Sequence, residues 1–157
     1  MATVQHSALP NAELHEPKDV SGAAINTTYV ADGAGSGDWG QAPYTYVVTY
    51  VFEDISTADT NYVVAPVAGN IVNIYSVIDG AIATSDCALS FAIGGTPITS
   101  SGITITQSGS AAGDIDSSTP TADNTLSAGS RIDITSDGAS ANSVNATITF
   151  EIQVNFS

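Results

Sequence analysis

The stretch VNATITFEIQVNF, residues 144–156, decides the fold. Val144, Ala146, Ile148, Phe150, Ile152, Val154 and Phe156 alternate with Asn145, Thr147, Thr149, Glu151, Gln153 and Asn155. A period of two sustained this long predicts a strand with one face on a core and the other in water. Upstream, YTYVVTYVFE (44–53) is apolar on both faces, as in a strand that is covered twice or meets another subunit. NYVVAPV (61–67), NIVNIYSVID (70–79), CALSFAI (87–93), PITSSGITITQ (97–107), a short strand near Leu126 and RIDIT (131–135) complete the set, separated by Gly, Asp and Ser turns. No segment has a helical period, although one helical turn is allowed at DISTAD (54–59). The expectation is an all-β domain over 41–157, a jelly-roll-like β-sandwich of about eight strands.

Residues 1–40 read differently. Pro10 and Pro17 punctuate them, apolar residues stand singly, and DGAGSGDWG (32–40) is rich in glycine. This predicts an extended N-terminal arm and a flexible hinge, with Trp39 at its end to pack the arm down. The basic groups gather there too: His6, His15 and Lys18 lie in the arm, and Arg131 is the remaining cation.

Charge limits the partners. Sixteen acids against two Lys and Arg give a formal charge of -14, and only 11% of residues are charged. Such a field repels nucleic-acid phosphates and anionic membranes, so neither is expected as a partner. The N-terminus has no basic or apolar region of a signal peptide, which predicts synthesis in a cytoplasm. Without a secretory route, the sequons at 26–28 and 145–147 are chance matches. Cys87 stands alone in an apolar run, which predicts a buried small hydrophobe with no disulfide and no thiolate cluster.

Catalytic chemistry finds little support. A hydrolytic triad needs a base on the scaffold, and both histidines lie in the arm. The acids Asp54, Asp59, Asp79, Asp86, Asp114, Asp116, Asp123 and Asp137 fall mostly at turns, where Asp serves nearby backbone donors. Asp114 and Asp116 in GDID (113–116) have the spacing of a hard-cation loop without its further ligands, so no metal site is assigned. The glycine-rich segment has no Lys-Ser/Thr ending and is not a phosphate cradle. No enzyme and no cofactor is expected.

Two segments carry a likeness. LHEPKDVSGAAINTTYVADGAGSGDW (14–39) resembles a segment near the N-terminus of tailed-phage structural proteins, with Asp19 where relatives have Gly. APVAGNIVNIYSVIDGAIATSDCALSFAIGGTPITSSGITITQSGSAAGD (65–114) resembles small β-domain proteins encoded among phage head genes. The resemblance implies a capsid decoration (cement) protein, a homotrimer on the outer face of the head, bound to the major capsid protein and bridging capsomers. It implies capsid contacts along the arm at Leu9, Pro10, Leu14, His15, Glu16, Pro17, Lys18, Val20, Tyr29 and Val30. It places an oligomer contact on the 44–53 strand, through Tyr44, Tyr46, Val48, Tyr50 and Phe52. The rival expectation is a fibre or receptor-binding protein anchored through the same arm.

Overall fold

The computed structural model describes residues 44–154, together with the backbone of two short strands at 28–31 and 37–40. The chain divides into two units, Tyr44–Val154 on one hand and Met1–Pro43 with Asn155–Ser157 on the other. The boundary therefore falls at 43/44, three residues beyond the expected one.

In the smaller unit, β1 (Thr28–Ala31) and β2 (Gly37–Gly40) form an antiparallel hairpin in which Thr28 pairs with Gly40 and Tyr29 with Trp39. Residues 37–40, read as part of a flexible hinge, are thus a paired strand. Glycine raises the entropic cost of ordering a strand, yet it keeps the N–H and C=O that a ladder needs. Leu9, Pro10, Leu14, His15, Glu16, Pro17, Lys18 and Val20 lie outside the described residues.

The larger unit contains strands and turns, with no helix. Its strands are β3 (Tyr44–Phe52), β4 (Asp59–Val64), β5 (Gly69–Ile78), β6 (Cys87–Ile93), β7 (Thr96–Pro97) and β8 (Ile103–Ile105). They continue with β9 (Ile115–Ser118), β10 (Thr125–Leu126), β11 (Arg131–Ser136) and β12 (Ala146–Val154). The expected long segment at 97–107 is broken into the short strands β7 and β8, and the short strand expected near Leu126 is present as β10, with β9 before it. Positive φ at Ser100 and Asp123 bends the chain between β7 and β8 and between β9 and β10.

Two five-stranded antiparallel sheets result. One runs β10-β5-β12-β3, with β9 also on β5; the other runs β4-β11-β6-β7, with β8 also on β6. The chain changes sheets at each step from β3 to β6 and again from β11 to β12: β3, β5 and β12 lie in the first, and β4, β6 and β11 in the second. This is the layering of a β-sandwich.

β12 is the hub, paired with β3 on one side and β5 on the other. Its alternation is as expected: Ala146, Ile148, Phe150, Ile152 and Val154 are buried. Phe150 meets Phe91 of the opposite sheet edge to face, with centroids 5.5 Å apart and planes at 89°. Ile71, Ile74, Leu89, Ile132 and Ile134 fill the space around them. β5 carries a bulge where its pairing with β12 slips between Glu151 and Ile152. Beside it, Gly69 lies so close to β12 that a Cβ would stand 2.4 Å from the Gln153 carbonyl oxygen.

The segment after β3 forms a turn where a helical turn was allowed. Asp54 Oδ1 accepts from the Ser56 amide at 2.9 Å and the Ser56 hydroxyl at 2.6 Å, closing the chain on itself. Ile55 is driven into the core by that turn.

Candidate interaction surface

The carboxylates of the sandwich are occupied by its own loops. Asp79 accepts from the Asn145 amide at 2.9 Å, Asp86 from Gln107 at 2.7 Å, and Asp137 from Ala139 at 3.1 Å. Asp114 accepts from the Ala111 amide at 2.7 Å, and Asp123 from the Thr99 hydroxyl at 2.8 Å. Asp114 and Asp137 are thereby held in their own turns, while Asp79, Asp86 and Asp123 tie theirs to a distant loop. The hydrogen bonds from Ser56 and Thr57 hold the Asp54 carboxyl below its ordinary range.

Asp116 is the exception, since it lies within β9, and its half-buried side chain has its pKa raised by burial and by the Asp114 charge. Among the described residues, no group of three or more His, Cys, Asp or Glu could hold a metal ion. Cys87 is fully buried as expected, its sulfur 3.5 Å from the Ile55 carbonyl oxygen and from the Ser136 hydroxyl, and burial pushes its thiol pKa up.

Arg131, the single Lys or Arg within 44–154, does not reach outward as a free cation. Its guanidinium binds Asp133 through Nε at 2.5 Å and through a second nitrogen at 3.0 Å, and lies 4.8 Å from the Tyr62 ring centroid. The solvent face of the second sheet is thus locally neutralised.

The first sheet offers the larger apolar surface, and here one expectation needs correction. Val48 and Phe52 are 8% and 2% exposed and belong to the core, so they cannot form a subunit contact. The register explains this: Val48 pairs with Phe150 and Phe52 with Ala146, so the even-numbered residues of β3 share the inward face of β12. Tyr50 packs against the core from the same face, while Tyr44 and Tyr46 stay exposed further along it.

The exposed apolar residues missed by the sequence reading are Val47 and Val51, on the other face of β3 at 52% and 49% exposure. Thr45 and Thr49 on that face were the available signal, because hydroxyls mark the solvent side of a half-buried strand.

Val51 heads a row that crosses the whole sheet. It pairs with Thr147, Thr147 with Val77, and Val77 with Ile115, which is 69% exposed. Tyr75, Val77, Ile115, Thr147 and Thr149 line a shallow depression of about 240 Å³ on this face. A second hollow, of about 470 Å³, lies between the end of β3 and the start of β4, with Tyr50, Phe52, Glu53, Asp54, Asp59 and Asn61 among its walls. Its acids belong to the turn just described. Surface contact, more than chemistry, is what these residues offer.

No protein-family model matches the chain, and no curated protein matches it.

Proposed function

We propose that this is a structural, non-enzymatic virion protein that binds the outer surface of a tailed-phage head and stabilises it by bridging neighbouring capsomers. Residues 1–40 are the attachment segment, and the sandwich is the outward knob of a homotrimer. The strand order supports reading the sandwich as a jelly roll. With the end-to-end pairs β9/β10 and β7/β8 each taken as one strand, the sheets become four-on-four, and the chain changes sheet at every step except β6 to β7/β8, as in two Greek keys.

The observation that carries the functional reading is the contrast between the two ends of the chain. The sandwich spends many of its carboxylates on its own turns and loops, and among the described residues no group of three or more His, Cys, Asp or Glu could hold a metal. The likeness to the N-terminal segment of phage structural proteins and three of the four basic side chains fall before residue 40. An exposed ion pair contributes only about 0–1 kcal/mol, so His15 and Lys18 guide the arm while Leu9, Leu14, Val20, Tyr29 and Val30 supply apolar contact. Multiple copies then add avidity.

Deletion of residues 1–27 leaves both hairpin strands in place. That variant is expected to keep its β-rich circular dichroism and to stop co-sedimenting with phage heads. Undiminished co-sedimentation would rule the attachment role out.

A further inference from the structure

Among the described residues, strand β3 is the long edge of its sheet. It is nine residues long and, among the described residues, only β12 pairs with it. An open edge is a template for another strand, and proteins usually blunt it with charge, proline, a bulge or brevity. The other strands at the margins of the sandwich carry such devices. β7 and β10 are two residues long, β9 contains Asp116, and β4 begins with Asp59 and is followed by Pro66. β3 has no charge and no proline between Tyr44 and Phe52, in a chain whose formal charge is -14. Its sequence is tyrosine, threonine, valine and phenylalanine throughout, the residue types that favour pleated pairing.

We infer that β3 pairs antiparallel with β3 of a second copy of this chain, about a twofold axis at Val48. Three features of that register select a second copy as the occupant. Tyr46 faces the partner's Tyr50, and Val47 faces the partner's Thr49, so aromatic meets aromatic and β-branched meets β-branched. β3 itself carries no carboxylate, so none faces another across the nine paired residues despite the acidity of both chains. On the solvent face Val51 falls opposite the partner's Thr45, so the row from Ile115 through Val77 and Thr147 ends at the junction on a β-branched contact. The pairing is self-complementary, as a twofold contact must be. It does not depend on the virion reading. A threefold contact uses other surfaces, so both together would double a trimer.

The test is the mass of the full chain in solution by light scattering over a range of concentrations. The wild type is expected to have twice the mass of the double variant Val47→Lys/Thr49→Lys. Both positions are exposed, so the fold is kept, and circular dichroism verifies this. In the twofold register each introduced cation faces another. The variant Val47→Glu/Thr49→Glu is expected to show the same halved mass, and an equimolar mixture of the two is expected to regain the full one. An unchanged mass in the lysine variant, or a mixture that stays at half mass, overturns the proposal. A monomeric wild type whose β3 amides exchange slowly overturns it as well, by placing the chain's own N-terminal segment on that edge.

Discussion

The two flanks of the sandwich solve the same problem in opposite ways. On one flank the short strands β7, β8, β9 and β10 turn toward each other and join the sheets. Ser118 donates its hydroxyl to the Ser101 carbonyl at 2.5 Å, and Thr99 and Ala122 form a bridge with amide bonds of 3.0 Å from Thr99 to Ala122 and from Thr121 to Thr99. Thr121 adds a hydroxyl bond to Ser100 at 3.0 Å. On the other flank, long β3 and shorter β4 end their sheets side by side with a hollow between them. Brevity closes the first flank, because short strands leave their connecting loops free to bond across. Length and apolarity keep the second one available. A fold can therefore be stable at one margin and receptive at the other without any change in its core.

Four substitutions probe that contrast. The largest effect is expected inside the stitched flank, where Leu126 of β10 is 2% exposed. Leu126→Ala is expected to cost about 2–5 kcal/mol in denaturant unfolding, the range for emptying a buried leucine. Val51→Ala on the open flank is expected to stay within about 0.5 kcal/mol, since half of that side chain already meets water. Equal losses at the two sites would erase the distinction between the flanks.

A smaller effect is expected for Ser118→Ala. It removes one of the bonds between the sheets and leaves the Ser101 carbonyl without that donor, at a cost of about 1 kcal/mol. A melting temperature equal to the wild type would mean that the Thr99–Ala122 bridge alone holds the seam.

The smallest effect concerns Asp116. Its folded-state pKa is raised, so the folded protein holds that proton more readily than the unfolded chain, and the ionised carboxylate opposes folding at neutral pH. Asp116→Asn is therefore expected to stabilise the protein at pH 7 by up to about 0.5 kcal/mol. The gain should vanish as pH falls below the carboxylate range, where Asp116 is protonated in both states. Asp54 works in the opposite sense: its lowered pKa adds stability above its unfolded value, and that stability is lost in acid. A gain from Asp116→Asn that persists at low pH would point to packing in place of charge.

Much of the fold was legible because strand periodicity is a local property. The alternation at 144–156 named the buried residues of β12, and the apolar runs at 44–53, 70–79 and 87–93 located β3, β5 and β6 within a residue or so. The isolation of Cys87 in such a run likewise told of its burial. Turn acids were equally readable, since an Asp beside a tight turn has backbone donors within reach of its own side chain.

The surface was harder to read, for a different reason. YTYVVTYVF is apolar on both faces, so its sequence left open which face is buried and whether the strand is central or marginal. Pairing with β12 alone settled both, sending Val48 and Phe52 inward and leaving Val47 and Val51 in solvent. Gly37 and Gly40 posed the same difficulty, because their partner strand at 28–31 is a matter of backbone pairing that side chains do not announce. The sequence by itself determined that this protein is built of strands, where most of them run, and that its acids serve turns, because those outcomes depend on neighbours a few residues apart. Only the tertiary structure decided which strand is the hub, which margin is sealed and which is open. Those outcomes depend on pairings between residues as distant as Val48 and Phe150, and no local pattern encodes the identity of a partner strand.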